Sequence, residues 1–269
     1  MLRGGEFYSP IRSRLRVADV LLSELRQPCS RKVPRHEHEL AYVTVVLEGN
    51  YFEGDHARMD ELRPFYATFN PEGTAHSTVI GPDGASFFTI EFHTQGLRDL
   101  DLRLPQETIL DRGGSGMLWP GLRLYSSFKT SGEPTAIETH ALELLGAIAG
   151  FKCRENSTPS WFRRVKDRLH EEFPGSLPVH ELAHEAGVHP VHLARVFRKL
   201  ERVTPREYQL RLQVRAACRM LQKRDWPLTE IALECGFSDQ SHLTRIFRRI
   251  TGTTPAQFRR SLANGAAME

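Results

Sequence analysis

The sequence of 269 residues predicts a two-domain α+β protein. A β-barrel or jelly roll with trailing helices would occupy residues 1–156, and an all-α pair of helix-turn-helix units residues 157–269. Three observations predict this arrangement: β-rich runs in the first third, a duplicated segment near the C-terminus, and a change in the sign of the charge between the halves. The length leaves room for two domains, each with its own core. Residues 152–160 have the composition of a linker.

Short runs of β-forming residues fill the chain from about residue 17 to residue 93. The clearest are residues 41–47, 66–69 and 86–92. Turn-forming residues break the region at 48–50, 71–73 and 81–84. Many short strands at this spacing are typical of a β-barrel or jelly roll. Two helical stretches follow, and the second, at about 135–151, places one apolar face on Ile137, Ala141, Leu144, Leu145 and Ile148.

The C-terminal region contains one segment twice. Residues 182–188 return as 231–237, residues 193–197 as 243–247, and residues 204–208 as 254–258. A repeat of about 50 residues indicates two copies of one supersecondary unit. Each copy is predicted to form a helix, a glycine turn and a second helix, which is the helix-turn-helix plan.

Each copy carries local signals for where its helices begin and end. Gly236 should end the first helix of the second copy, because glycine adopts a left-handed conformation at little cost. Ser238 is predicted to cap the next helix, with Asp239 favouring its positive end. Residues 204–207 and 254–257 each have the pattern of a capping box with proline at the first helical position.

Two further helices are predicted around the repeats. Residues 207 to about 224 form one continuous helix, which would hold the two units at a fixed separation. An opening helix, which should pack beneath the first unit, is marked by Trp161, Val165, Leu169 and Phe173. The two units and these helices together make one compact helical domain.

The second copy resembles the signature of the AraC/XylS family of transcription regulators. The resemblance lies in Ile231-Ala232-Leu233-Glu234-Cys235-Gly236-Phe237-Ser238-Asp239-Gln240-Ser241-His242-Leu243-Thr244-Arg245-Ile246-Phe247, followed by Gly252, Thr254-Pro255 and Phe258-Arg259. It covers roughly residues 160–262. Gln213 replaces an arginine that is frequent in the family, and His189-Pro190 replaces the usual serine-led helix start. The resemblance implies sequence-specific binding of double-stranded DNA, a homodimer, and RNA polymerase as a further partner.

The distribution of charge agrees with this resemblance independently. Residues 157–269 contain 19 Lys and Arg against 12 Asp and Glu, a net charge of +7. Residues 1–156 contain 17 against 21, a net charge of −4. A basic domain beside an acidic one indicates a DNA-binding module joined to a domain with another task.

The resemblance places the helices of about 190–200 and 239–250 in two successive segments of the major groove. The expected base-contacting residues are Val191, His192, Ala194 and Arg195 in the first unit and Gln240, Ser241, His242 and Arg245 in the second. Phosphate contacts are expected from Arg198, Lys199, Arg248 and Arg249. Arginine pairs bidentately with guanine and glutamine with adenine, so the second unit should read more bases by hydrogen bonds. Arg195 and Arg245 could instead bind phosphate or a neighbouring acid.

Two short segments in the β-rich region resemble the motifs of the cupin barrel. They are His36-Glu37-His38, which precedes Gly49, and Pro71-Glu72-Gly73-Thr74-Ala75-His76. Tyr42 occupies the position of the motif's glutamate, and Phe65 and Ile80 replace other expected residues. We expect His36, His38, Tyr42 and His76 to line or lie near a pocket for a small effector, with no metal and no other cofactor. The alternative is a divalent ion held by His36, His38 and His76.

Three functions remain open at this point. The first is a transcription regulator whose barrel senses a small molecule, and which is not an enzyme. The second is a metal-dependent cupin enzyme fused to a DNA-binding module. The third is an effector-independent regulator whose barrel only dimerises.

The remaining sequence features favour a cytoplasmic protein. Cys29, Cys153, Cys218 and Cys235 lack paired metal spacing, and the last two fall on helical core positions. A redox switch through Cys29 or Cys153 stays open. No signal peptide and no run of 18 apolar residues is evident.

Overall fold

The computed structural model describes residues 1–55, 59–93, 102–112, 116–130, 132–151, 158–175, 177–223 and 225–264. The chain divides into two compact units. The first comprises Met1–Arg112, Met117–Gly150 and Ser261–Glu269, and the second comprises Gly113–Gly116 and Phe151–Arg260. Most of the predicted linker, including Cys153, lies outside the described residues. None of the described helices combines the length and the apolar character needed to cross a bilayer.

The first unit is built on one antiparallel sheet of eight described strands. They are β1 (Ile11–Val17), β2 (Val20–Gln27), β3 (Arg31–His36), β4 (Ala41–Gly54), β5 (Met59–Leu62), β6 (Ala67–Asn70), β7 (His76–Phe92) and β8 (Ile109–Asp111). Their order is β1-β2-β7-β4-β6-β8, with β3 also paired to β7 and β5 to β4. Because β3 pairs with the first half of β7, His36 lies opposite His76.

The two longest strands correct part of the sequence prediction. The turns expected at 48–50 and 81–84 do not separate strands, since these residues lie within β4 and β7. The pairing of the two strands is irregular here, because it passes from Gly49–Ala85 directly to Tyr51–Ile80 and leaves residues 81–84 unpaired with β4. The register also shifts between Val46 and Glu48, and Gly49 has a φ of 72°. A Cβ atom on Gly49 would lie 2.1 Å from the carbonyl oxygen of Gly84, so glycine permits this close passage of two strands. The turn expected at 71–73 is confirmed.

Two helices complete the first unit among the described residues. They are α1 (Leu118–Thr130) and α2 (Pro134–Ala149), and they pack against each other. All five apolar positions predicted for the second helical stretch are buried in α2. The helix begins and ends within two residues of the prediction, so this part of the sequence analysis is confirmed.

The regular structure described in the second unit is all helical. The helices are α3 (Ser160–Glu172), α4 (Val179–Ala186), α5 (Pro190–Glu201), α6 (Pro205–Leu221), α7 (Leu228–Glu234), α8 (Gln240–Thr251) and α9 (Pro255–Asn264), of which α9 continues past the end of the unit at Arg260. The pairs α4–α5 and α7–α8 are the two predicted helix-turn-helix units, and α6 is the predicted continuous helix between them. It ends at Leu221, three residues before the expected Arg224, which lies outside the described residues.

The first helix-turn-helix unit shares one apolar core with α3 and α6. Phe162 and Leu169 of α3 pack with Leu182 of α4, Phe197 of α5 and Tyr208 of α6. The opening helix predicted from the sequence is therefore confirmed as part of this core. Near the second helix-turn-helix unit, the phenyl rings of Phe247 in α8 and Phe258 in α9 meet edge to face, with their centroids 5.4 Å apart.

Cys218 and Cys235 are fully buried, as predicted from their helical spacing. Burial raises the pKa of the Cys235 thiol to about 12, and that of Cys218 well above its usual range. Neither thiol is therefore reactive at neutral pH. Cys29 is exposed and free, and its redox role stays a prediction.

Candidate nucleic-acid interface and ligand cavity

Helix α8 begins at Gln240 because the residue before it caps its N-terminus. The Asp239 carboxylate accepts a hydrogen bond from the backbone N–H of His242 at 2.7 Å, and this bond lowers the pKa of Asp239. The prediction that Ser238 is the cap is wrong, because the helix starts one residue later and brings Asp239 opposite the free N–H. The Ser238 hydroxyl instead donates to Asp239 at 3.1 Å.

The two faces of α8 differ completely in chemistry. Its buried face carries the four predicted apolar residues, Leu243, Ile246, Phe247 and Ile250. The opposite face borders a shallow depression lined by Gln240, Ser241, Thr244, Arg245, Arg248, Arg249 and Thr254, which we call the α8 surface. Arg245, Arg248 and Arg249 are exposed, and none forms an ion pair with a carboxylate of the described chain. Their positive charge is therefore available to an anionic partner.

His242 lies at the edge of this surface and is already engaged. Its Nδ1 atom lies 3.2 Å from the Ser238 hydroxyl, and its ring meets Phe237 edge to face at 5.4 Å. Only the Nε2 side of the ring remains for another partner. Base contact by His242 therefore stays a prediction restricted to this one nitrogen.

The corresponding helix of the first unit, α5, presents fewer polar groups. His189 caps it, since its Nδ1 atom accepts a hydrogen bond from the backbone N–H of Val191 at 3.3 Å. Val191 is 59% exposed, and the ring of His192 lies 5.9 Å from that of Trp161. Of the other predicted contact residues, Arg195, Arg198 and Lys199 are exposed and Ala194 is partly buried.

Gln213 has a role that the sequence did not indicate. This buried residue of α6 donates hydrogen bonds from Nε2 to the carbonyl oxygens of Phe173 at 3.2 Å and Gly236 at 3.3 Å. It therefore ties the end of α3 to the glycine turn of the second helix-turn-helix unit. The spacing of the two units depends on this contact as well as on the continuous helix α6. The only sign of this role in the sequence was that glutamine replaces the arginine that is frequent at this position.

Comparison with known proteins identifies the class of the second unit. Residues 182–261 match a family model described as a helix-turn-helix domain, and this is the AraC type of that domain. The chain is 27% identical over 109 residues to the Msm operon regulatory protein of Streptococcus mutans. That match covers 40% of this chain and 39% of the relative, so it spans about two fifths of either protein.

Two solved structures are also similar. The C-terminal domain of AraT, a response regulator from Geobacillus stearothermophilus, is 23% identical with a TM-score of 0.37, covering 38% of this chain and 86% of that one. Wild-type ToxT from Vibrio cholerae, bound to an unsaturated fatty acid, is 11% identical with a TM-score of 0.39, covering 94% and 98%. TM-scores below 0.5 do not establish a shared fold, so the assignment of the domain comes from the family model.

In the first unit, the four residues proposed to line a pocket lie together. The ring centroids of His36 and His76 are 4.3 Å apart, and those of His38 and Tyr42 are 4.6 Å apart. They border a cavity of about 80 Å³, which we call the histidine cavity. Phe7 and other N-terminal residues close one side of it.

Burial controls the charge of these side chains. It lowers the pKa of His38 to about 3, with His76 and His36 adding to the effect, and it also lowers the pKa of His36. Burial likewise raises the pKa of Tyr42 well above its usual range. His36, His38 and Tyr42 are therefore all uncharged at neutral pH.

A buried polar network that the sequence analysis missed continues from Tyr42. Glu53 accepts hydrogen bonds from the Tyr51 hydroxyl at 2.8 Å and from Asn70 Nδ2 at 2.7 Å. The same Asn70 nitrogen donates to the Tyr42 hydroxyl at 3.0 Å, and Thr108 donates to Asn70 Oδ1 at 2.7 Å. The sequence could have revealed this network through the alternation of side chains along β4, which places Tyr51 and Glu53 on the same buried face.

The three histidines fit a divalent ion in the kind and number of their donor atoms. One nitrogen from each of His36, His38 and His76 lies within 4.8 Å of the others. His36 Nδ1 lies 2.8 Å from the Pro34 carbonyl, which leaves Nε2 as the free acceptor, and His38 Nδ1 is buried without a hydrogen-bond partner. Tetrahedral zinc would need these nitrogens about 3.4 Å apart. The rings would have to turn inward to hold it.

Proposed function

We propose that this protein is a transcription regulator that binds specific double-stranded DNA through residues 157–269. Residues 1–156 form a cupin-like domain that senses a small effector and supports a homodimer. The α8 surface supports the proposal most strongly, because it combines Gln240 and Ser241 with three exposed arginines that form no ion pair within the described part of the chain. RNA polymerase is the expected further partner of a regulator of this kind.

The proposed pose places α5 and α8 in two successive segments of the major groove on one face of the duplex. Such segments lie roughly 34 Å, or about 10 base pairs, apart in B-DNA. Arg245 and Gln240 have the side chains for bidentate contacts to guanine and adenine, respectively. Arg248 and Arg249, at the C-terminal end of α8, suit phosphate contacts, as do Arg198 and Lys199 on α5.

Arg245→Ala is expected to weaken binding to the preferred duplex by about 1–3 kcal/mol and to relax specificity at one base pair. The reason is that a lost bidentate contact removes discrimination at the base that it touched. The preferred duplex would be obtained by selection from a random library, and binding would be measured by fluorescence anisotropy on single-base variants. Arg260→Ala, an exposed arginine of α9 outside the α8 surface, is the control. Equal weakening on every duplex would assign Arg245 to phosphate.

The sensor role makes a separate prediction. Deletion of residues 1–156 should abolish the response to effector and retain DNA binding, because the residues proposed for sensing and for DNA contact lie in different compact units. The response would be measured by footprinting the DNA next to the protein's own gene, with and without candidate small molecules. A truncated chain that still responds would contradict the assignment. Full-length protein that regulates transcription without any effector would favour a barrel used only for dimerisation.

The cluster of His36, His38 and His76 favours one second candidate, a metal-dependent cupin enzyme joined to the DNA-binding domain. Metal analysis of the purified protein, together with a screen for oxygen consumption, separates the two functions. Stoichiometric iron with turnover would promote the enzyme. Protein that binds its duplex and consumes no oxygen would support the regulator.

A further inference from the structure

We infer that the histidine cavity binds a small organic cation, a primary ammonium compound, against the carboxylate of Glu53. This inference rests on the proposed function, in which the cavity is the sensor site. It adds the charge class of the effector. Three features of the cavity support it: a buried acid that forms no ion pair within the described chain, a described lining without lysine or arginine, and aromatic rings beside the acid.

Glu53 is a buried carboxylate whose partners are all neutral. It is 8% exposed, and its two oxygens accept hydrogen bonds from Tyr51 and Asn70. No lysine, arginine or histidine of the described chain forms an ion pair with it. An ionised carboxylate is costly to bury without a counter-charge, and a bound cation would remove this penalty.

The described lining of the cavity lacks the two side chains that most often bind anions, lysine and arginine. Among the described side chains around the cavity there is no lysine and no arginine, and Glu53 is the single carboxylate. An anionic ligand would therefore meet the carboxyl group of Glu53 and no lysine or arginine of the described lining.

Aromatic rings complete a site suited to an ammonium group. Tyr51 and Phe87 meet edge to face at 4.8 Å beside Glu53, and Phe7 closes the N-terminal side. The faces of such rings attract cations. Tyr8 also lines the cavity, is 36% exposed, and has its ring 4.9 Å from that of His36. A volume of about 80 Å³ restricts the ligand to a few non-hydrogen atoms.

The test compares three probes of similar size that differ in charge: ethanolammonium, ethylene glycol and glycolate. Each is titrated by calorimetry into the full-length, chelator-treated protein. Ethanolammonium should bind most tightly and glycolate should not bind. Glu53→Gln should weaken the binding of ethanolammonium by about ten-fold or more, because a charge-assisted contact is lost. Glu48→Gln removes a charge from the same strand outside the cavity and should leave the binding unchanged.

Glu53→Gln is expected to fold, because the amide preserves the shape and the Tyr51 hydroxyl can accept the new N–H; circular dichroism would confirm it. If it does not fold, Tyr51→Phe provides a second test, since it removes one donor to Glu53 but retains the charge. That variant should still prefer ethanolammonium to glycolate.

Four results would overturn the inference: equal or tighter binding of glycolate or ethylene glycol, unchanged charge preference in folded Glu53→Gln, no binding of any probe, or a response to zinc chloride alone. These titrations contain no DNA. Their failure therefore leaves the DNA-binding proposal intact, and failure to select any duplex would refute that proposal alone.

Discussion

Gly236→Ala is expected to lower the free energy of unfolding of the C-terminal domain by about 3–5 kcal/mol, whereas Gly187→Ala should cost only about 1–2 kcal/mol. The two glycines occupy equivalent turns in the two helix-turn-helix units, and both have positive φ, 80° and 66°. Their surroundings differ. A Cβ atom on Gly236 would lie 2.0 Å from the carbonyl oxygen of Pro174 and 2.8 Å from Gln213 Nε2, while one on Gly187 would meet nothing within 4 Å.

The backbone must therefore move in Gly236→Ala, since the nearest atom belongs to the main chain. This movement would break the hydrogen bonds through which Gln213 links the end of α3 to the second helix-turn-helix unit. Denaturant unfolding of residues 157–269 measures the stability, and anisotropy on the selected duplex measures the effect on DNA binding. Gly187→Ala is the matched control for the left-handed conformation alone. Equal losses in the two variants would show that the contact with Pro174 does not restrict the domain.

The stability of the N-terminal domain should fall by about 3 kcal/mol between pH 4.5 and pH 7 on account of Glu91 alone. Glu91 is 1% exposed, and burial raises its pKa from the ordinary value of 4.5 to about 7, against the opposing effects of Gly5 and Arg14. The folded state therefore binds more protons than the unfolded state in this range. The stabilisation is fully present below pH 4.5 and is lost as the pH rises through 7.

Glu91→Gln isolates this effect because glutamine does not titrate. The difference in free energy of unfolding between the variant and the wild type should grow in favour of the variant as the pH rises from 4.5 through 7, and should become constant about one pH unit above 7. Glu138→Gln, which changes an exposed carboxylate of the same unit, is the control for the loss of one carboxyl group outside the core. A flat difference for Glu91→Gln would show that the buried carboxylate keeps its ordinary pKa.

Predictions from local sequence succeeded where the deciding contacts span three or four residues. The capping box of Thr204 and Glu207 forms as expected, and Gly187 and Gly236 both end helices with positive φ. The buried faces of α2 and α8 also follow directly from their apolar spacing. The choice of Asp239 over Ser238 was missed because both side chains can cap a helix, and a shift of one residue decides between them.

Predictions failed where the deciding contact comes from a distant strand. Residues 48–50 and 81–84 have the composition of turns, but the same glycines also permit irregular pairing within a continuous strand. The close approach of Gly49 to Gly84 decided between these outcomes. Glu53 was missed for a related reason, since a turn at 48–50 would have separated it from the strand that holds it in the cavity.

The sequence by itself determined the presence of an AraC-type helix-turn-helix domain, the helices that compose it and the exposed basic face of α8. These follow from helical periodicity and from caps, which depend on neighbours along the chain. Only the tertiary structure decided that Gln213 and Gly236 hold the second helix-turn-helix unit against the end of α3. It also decided that Glu53 lies with Tyr42 and three histidines around one cavity. The contacts between these parts join residues that are distant in the sequence, and only the packing of the folded chain determines which of them touch.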